Sequence, residues 1–154
     1  MRPTPDRVRE TLFNWLGQDL DGRRTLDPFA GSGALSLEAL SRGATLAVAV
    51  DREPRLVRAL AATGRALDAA GLETHCDDAH AFVARERRTF DVVFLDPPFA
   101  GADLDSLMAA AAARVAAGGA LYVEAGAPIE APPGFVVARD DRAGRVHYHL
   151  LRRA

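Results

Sequence analysis

The sequence predicts an α/β domain built on a largely parallel sheet covered on both faces, and three observations lead there. Short apolar runs, among them Ala44 to Val50 and Phe90 to Leu95, alternate with amphipathic helical segments. The runs are nearly continuous rather than alternating, as strands buried on both sides are. A lead-in over Arg24, Thr25 and Leu26 reaches Asp27, and Gly31 and Gly33 then open a helical run from Ala34 to Arg42. A glycine turn between a first strand and a helix is where α/β sheets take nucleotide-like ligands. Glycine lets the backbone approach without a Cβ, and the helix start offers unpaired N–H groups.

The chain of 154 residues is long enough for one domain with a real core, and 49% hydrophobic with 26% charged residues describes an ordinary globular composition. No apolar run approaches a membrane span, and the start Met1-Arg2-Pro3-Thr4 has no signal-peptide character. Cys76 is the single cysteine, so no internal disulfide forms and a cytoplasmic location is expected. All 19 basic residues are arginine, yet the net charge is −2. Nucleic-acid binders usually carry a basic excess, so any grip on RNA must be local.

In chain order, Thr4 is expected to N-cap a first helix with Pro5 at its first position. Val8, Leu12, Trp15 and Leu16 share a face of that helix, and Gly17 ends it. Arg2, Arg7 and Arg9 are candidates for phosphate contacts. The second strand ends at Asp51, 18 residues beyond Gly33, close to where an acid accepts hydrogen bonds from ribose hydroxyls. A helix over 54–71, stopped by Gly71, leads to a short strand, Glu73 to Cys76. Asp78 is positioned to face an adenine and can at the same time cap the next helix. The fourth strand, Phe90 to Leu95, runs into Asp96-Pro97-Pro98-Phe99. Two successive prolines stiffen that loop and aim its carbonyls. Asp96 and the Pro97 carbonyl can accept both hydrogens of an exocyclic amine, and Phe99 offers a stacking face. An Ala-rich helix is expected from Ala102 to Ala117, ended by Gly118-Gly119, with a fifth strand over Ala120 to Ala125. Phe135 to Arg139 and Arg145 to Leu151 close the sheet as an antiparallel pair. His147 and His149 share a face of the last strand, without the further ligands a metal site needs.

Two ligand classes compete for the glycine turn. The dinucleotide fingerprint G-x-G-x-x-G has Ser36 where its third glycine falls, which counts against an NAD-dependent oxidoreductase. Asp27 suits a ligand bearing an ammonium group, and S-adenosylmethionine has one and no phosphate.

The motifs together resemble the RsmD family of bacterial 16S rRNA guanine-N2 methyltransferases. The resemblance is carried by Arg2-Pro3-Thr4, Asp6-Arg7-Val8-Arg9-Glu10, Leu12-Phe13-Asn14, D-P-F-A-G-S-G-A-L, Glu38-Ala39, Ser41-Arg42-Gly43-Ala44, D-P-P-F and Ala143-Gly144-Arg145-Val146. It implies a class I S-adenosylmethionine-dependent methyltransferase fold, Rossmann-like, with seven strands, the first five parallel and the seventh antiparallel. It implies methyl transfer to guanine N2 in 16S rRNA (guanine 966 by that resemblance), either on naked rRNA or within a small-subunit assembly particle, by an enzyme expected to be monomeric. By the same resemblance Asp27, Phe29, Gly31, Ser32, Gly33, Asp51, Asp78 and Ala79 serve the cofactor. Asp96, Pro97 and Phe99 serve the target base, while Arg2, Thr4, Arg7 and Pro98 face RNA. The resemblance leads one to expect a basic segment ahead of R-P-T, and the sequence starts at that motif. An adenine-N6 methyltransferase is the alternative within the class, and a cofactor-binding scaffold without catalysis is a third reading.

Overall fold

The computed structural model describes residues 5–98 and 103–154. Seven strands form one sheet: β1 (Arg24–Asp27), β2 (Leu46–Asp51), β3 (Leu72–Cys76), β4 (Phe90–Leu95), β5 (Val115–Ala125), β6 (Phe135–Ala143) and β7 (Val146–Arg153). Their spatial order is β3-β2-β1-β4-β5-β7-β6. The first five run parallel, and β7 is antiparallel to both β5 and β6. Five helices accompany them among the described residues: α1 (Asp6–Leu16), α2 (Ala34–Ser41), α3 (Pro54–Ala66), α4 (Ala79–Arg85) and α5 (Asp103–Ala112).

The core lies in two layers. On one face, Leu26, Val48, Val93, Leu95, Leu121 and Val123 pack with Phe82 of α4 and Leu107 and Met108 of α5. On the other, Val92, Phe94, Tyr122, Tyr148 and Leu150 pack with Val8, Leu12 and Phe13 of α1 and Leu35 and Ala39 of α2. Successive strand residues point to opposite faces, so parity sorts them. Thr25, Phe94 and Tyr122 therefore share the α1–α2 face with Asp27, Asp96 and Glu124, which follow each by two positions.

Several elements differ from the sequence expectation. Thr4 lies outside the described residues, and Pro5 is the cap residue of α1 rather than its first helical position. Gly17, at φ 97°, ends that helix as expected. α3 stops at Ala66, five residues before Gly71. Asp68 takes the left-handed conformation at φ 55°, Ala69 N–H bonds to Gly64 C=O at 2.8 Å, and Asp68 N–H bonds to Arg65 C=O at 3.2 Å. That is a Schellman ending with Asp in the place glycine usually holds. Gly71 serves a close approach instead, since a Cβ there would sit 2.5 Å from the Thr45 carbonyl oxygen.

The largest difference follows α5, whose expected continuation to Ala117 is replaced by the start of β5 at Val115. Phe90 pairs with Val115, but Val92 pairs with Ala120, so residues between them bulge out of register. Gly118, at φ 76°, makes the bulge, and a Cβ on Gly119 would meet the Asp91 carbonyl oxygen at 2.8 Å. Those glycines admit β5 to the sheet rather than ending a helix. The closing hairpin is also longer than its sequence signal. Ala143 pairs with Val146 across a two-residue turn, with Gly144 at φ 60°.

Candidate active site at the carboxyl ends of β1, β2, β4 and β5

Strand order reverses between β1 and β4, because β2 and β3 lie to one side of β1 while β4 and β5 lie to the other. Such a switch point leaves a crevice above the carboxyl ends of the two strands. The two sequence-predicted stretches meet there: Asp27 ends β1, and Asp96 follows β4.

The turn after β1 is tied down by the backbone. Asp27 Oδ1 accepts from Phe29 N–H at 3.0 Å, Ala30 N–H donates to Val50 C=O at 2.8 Å, and Gly33 N–H donates to Ala30 C=O at 2.8 Å. Gly33, at φ 82°, is the N-cap of α2, and a Cβ on it would meet Leu60 of α3 at 2.2 Å. Glycine is demanded here twice, by backbone conformation and by space. Gly31 is buried at φ 56°, and Ser32 is exposed beside it. Ser36, the residue standing where a dinucleotide fingerprint has its third glycine, is fully buried inside α2.

Asp51 has a second task that its spacing did not reveal. Its Oδ2 accepts from Gly31 N–H at 2.9 Å and its Oδ1 from Glu53 N–H at 3.0 Å. One carboxylate thus clamps the glycine turn to the end of β2 and orders the entry to α3. Asp78 caps α4, accepting from Ala81 N–H at 3.0 Å, with Ala79 buried as the first helical residue. The capping role is therefore present, with the exposed Asp78 at the carboxyl end of β3. Pro97 is buried and Pro98 exposed, while Asp96 is half-buried between strand end and loop. Arg7 is exposed near the start of α1. Phe99, Arg2 and Thr4 lie outside the described residues.

The electrostatics of this edge are acidic. Asp27 is 3% exposed, and burial first, then the charges of Asp96, Glu124 and Asp51, push its carboxyl up to about 8, against the lowering effect of the Phe29 N–H. An approaching cation would favour its ionised form. Glu124 is the site residue the sequence reading passed over. It is the penultimate residue of β5, is 3% exposed, and its Oε2 accepts from the Tyr122 hydroxyl at 2.7 Å. Burial and the Glu124 charge hold the Tyr122 phenol well above its ordinary range. The missed signal was an acid inside a strand otherwise buried on both faces.

His149 of β7 has structural partners. His149 Nδ1 lies 3.0 Å from Val123 C=O, and its Nε2 accepts from Ile129 N–H at 3.4 Å, which fixes the tautomer. A surface groove of about 340 Å³ opens between α3 and β3, lined by Gly64, Arg65, Asp68 and Leu72 among others. It lies toward the opposite edge of the sheet, away from this chemistry.

Sheet order, glycine turn and acid-lined switch point define the chain as a class I S-adenosylmethionine-dependent methyltransferase by fold. Comparison with known proteins agrees. The family model described as conserved hypothetical protein 95 matches residues 1–152, and the chain belongs to that family, the RsmD family its motifs resemble. It is 36% identical over 159 residues to ribosomal RNA small subunit methyltransferase D of Escherichia coli strain K12, covering 99% of this chain and 80% of that protein. A solved structure of the Escherichia coli methyltransferase yhhF superposes with a TM-score of 0.92 at 36% identity, covering 99% of this chain and 88% of the other. Magnesium protoporphyrin IX methyltransferase from Synechocystis PCC 6803, solved with bound S-adenosylmethionine, shares the fold at a TM-score of 0.75 and 17% identity, covering 96% and 79%.

Proposed function

We propose that this chain transfers a methyl group from S-adenosylmethionine to the exocyclic N2 of a guanine in small-subunit rRNA. The observation that carries the reading is the pairing, across the β1–β4 switch point, of a buried acid that gains from a cation with the acid of D-P-P-F. The residues fit the donor. Asp27, whose carboxyl is pushed up by burial and by its acidic neighbours, gains from an incoming ammonium. A dinucleotide would instead bring pyrophosphate charge to an edge that holds Asp27, Asp51, Asp96 and Glu124. The relatives' names supply rRNA as the substrate class.

In this reading Gly31 to Gly33 shape the pocket, Asp51 takes the ribose while holding the turn, and Asp78 lies toward the adenine. The bound cofactor supplies an electrophilic methyl whose carbon–sulfur bond breaks toward sulfur as the guanine N2 lone pair bonds to carbon. Asp96 and the Pro97 carbonyl accept the two N2 hydrogens, which turns the lone pair away from ring conjugation. Asp96 then takes the proton the methylated amine releases. Positioning and fixed electrostatics carry the rate, without a strong base. Phe99 stacks on the base, and Arg2, Thr4, Arg7 and Pro98 contact RNA nearby. The enzyme works as a cytoplasmic monomer on rRNA, naked or in an assembling particle.

Asp96→Ala is expected to abolish transfer while leaving cofactor affinity within about threefold, since it removes an interaction made in the transition state. Calorimetry with S-adenosylhomocysteine beside a methyl-transfer assay reads both. Parallel loss of affinity and transfer would contradict this division of labour.

A further inference from the structure

Glu124 has no part in the scheme above, yet it is placed where a second reading group belongs. Leu95 and Val123 are register partners in β4 and β5, so Asp96 and Glu124 each follow one residue beyond that pair. By strand parity both turn to the α1–α2 face, and both charges act on Asp27 and on Tyr122. Neighbouring strands lie about 4.8 Å apart, which brings two such carboxyls within reach of adjacent groups on one base edge. The Tyr122 hydroxyl, 2.7 Å from Glu124 Oε2, fixes the direction of the carboxyl. Burying an acid in a strand end that an apolar residue could close is costly, and points to use.

We propose that Glu124 is a specificity-determining residue that accepts the N1–H of the target guanine while Asp96 accepts from N2, with Tyr122 as its positioning residue. The inference rests on the guanine-N2 reading and deepens it. Guanine carries N1–H and N2–H as adjacent donors on its Watson–Crick edge, and two adjacent acceptors match them. Adenine sets an acceptor, N1, beside its amine, and cytosine sets N3 there. Either would place a lone pair against the carboxylate, leaving both groups unpaired in a dry site. The aspartate of D-P-P-F selects an amine; the adjacent glutamate makes that amine a guanine's.

The test crosses a protein change with a substrate change. Wild type and Glu124→Gln are assayed with a synthetic small-subunit rRNA segment, alone and in reconstituted particles. The target position carries either guanine or 2-aminopurine, which keeps the N2 amine but lacks both N1–H and O6. Wild type is expected to prefer guanine by about 10- to 100-fold in kcat/KM, the range of one good base contact. Glu124→Gln is expected to lose about that factor on guanine and to lose nothing on 2-aminopurine, whose N1 accepts from the new amide. Equal losses on both RNAs, or a wild type indifferent between them, would overturn the role of Glu124 while leaving guanine-N2 transfer intact. Because 2-aminopurine also lacks O6, the deciding quantity is the change in the guanine to 2-aminopurine ratio on substitution; should Glu124→Gln not fold, Tyr122→Phe is read in its place and is expected to lower that ratio, and an unchanged ratio overturns the role. Wild-type methylation mapped to another atom, or no transfer to guanine in either form, overturns both readings.

Discussion

Asp27 couples the chemistry of the site to the stability of the protein. Its carboxyl rises from 3.8 to about 8, so across that window the folded chain holds a proton that the unfolded chain has released. Stability from this group is therefore full at the acid end and is lost as pH rises toward 8. Asp27→Asn removes the term. The variant's melting temperature is expected to fall less than wild type's between pH 5 and pH 8, while its affinity for S-adenosylhomocysteine drops about tenfold or more with the loss of the ammonium's counter-charge. Melting curves across that range check the first half, and a wild type whose stability climbs over it would refute the assignment. Asp51 shows the opposite economy of means. It spends both oxygens on backbone N–H groups of the glycine turn and the α3 entry, so its carboxylate is fixed in direction.

Helix and strand ends supply the site, and their punctuation separates what local signals decide from what packing decides. Gly17 and Gly33 are where backbone conformation requires them, and both were legible as glycines flanking periodic segments. The end of α3 was not, because its left-handed position holds Asp68 and the nearby glycine serves packing instead. Asp68→Gly is expected to stabilise the protein by about 0.5–1 kcal/mol, since glycine adopts that conformation without a Cβ penalty. Chemical denaturation would measure it, and a destabilised variant would mean that the Asp68 side chain matters more than its backbone. The start of β5 misled for the reverse reason. Residues 109–117 are mostly alanine, a strong helix former, but Val115 is fully buried and pairs with Phe90. Tertiary pairing overrides propensity there, with Gly118 and Gly119 absorbing the bulge.

For the molecule as a whole, the acidic switch point predicts ligand selectivity. S-adenosylhomocysteine at about 100 times its dissociation constant is expected to stabilise the fold by about 2.7 kcal/mol, and NAD not at all. A thermal shift with NAD alone would remove the methyltransferase reading of this pocket. The net charge of −2 and the acidic crevice offer no general attraction for a polyanion. The sequence by itself determined the α/β class, the parallel core strands, the glycine turn and the acids after β1, β2, β3 and β4. Each is written in local chemistry: apolar runs, glycines before a helix, an acid at a strand end. Packing of distant strands is what makes Asp51 clamp the turn, raises the Asp27 carboxyl and sets Glu124 beside Asp96. Those depend on strands far apart in the chain being neighbours in the sheet, and burial and charge coupling exist only once that neighbourhood forms.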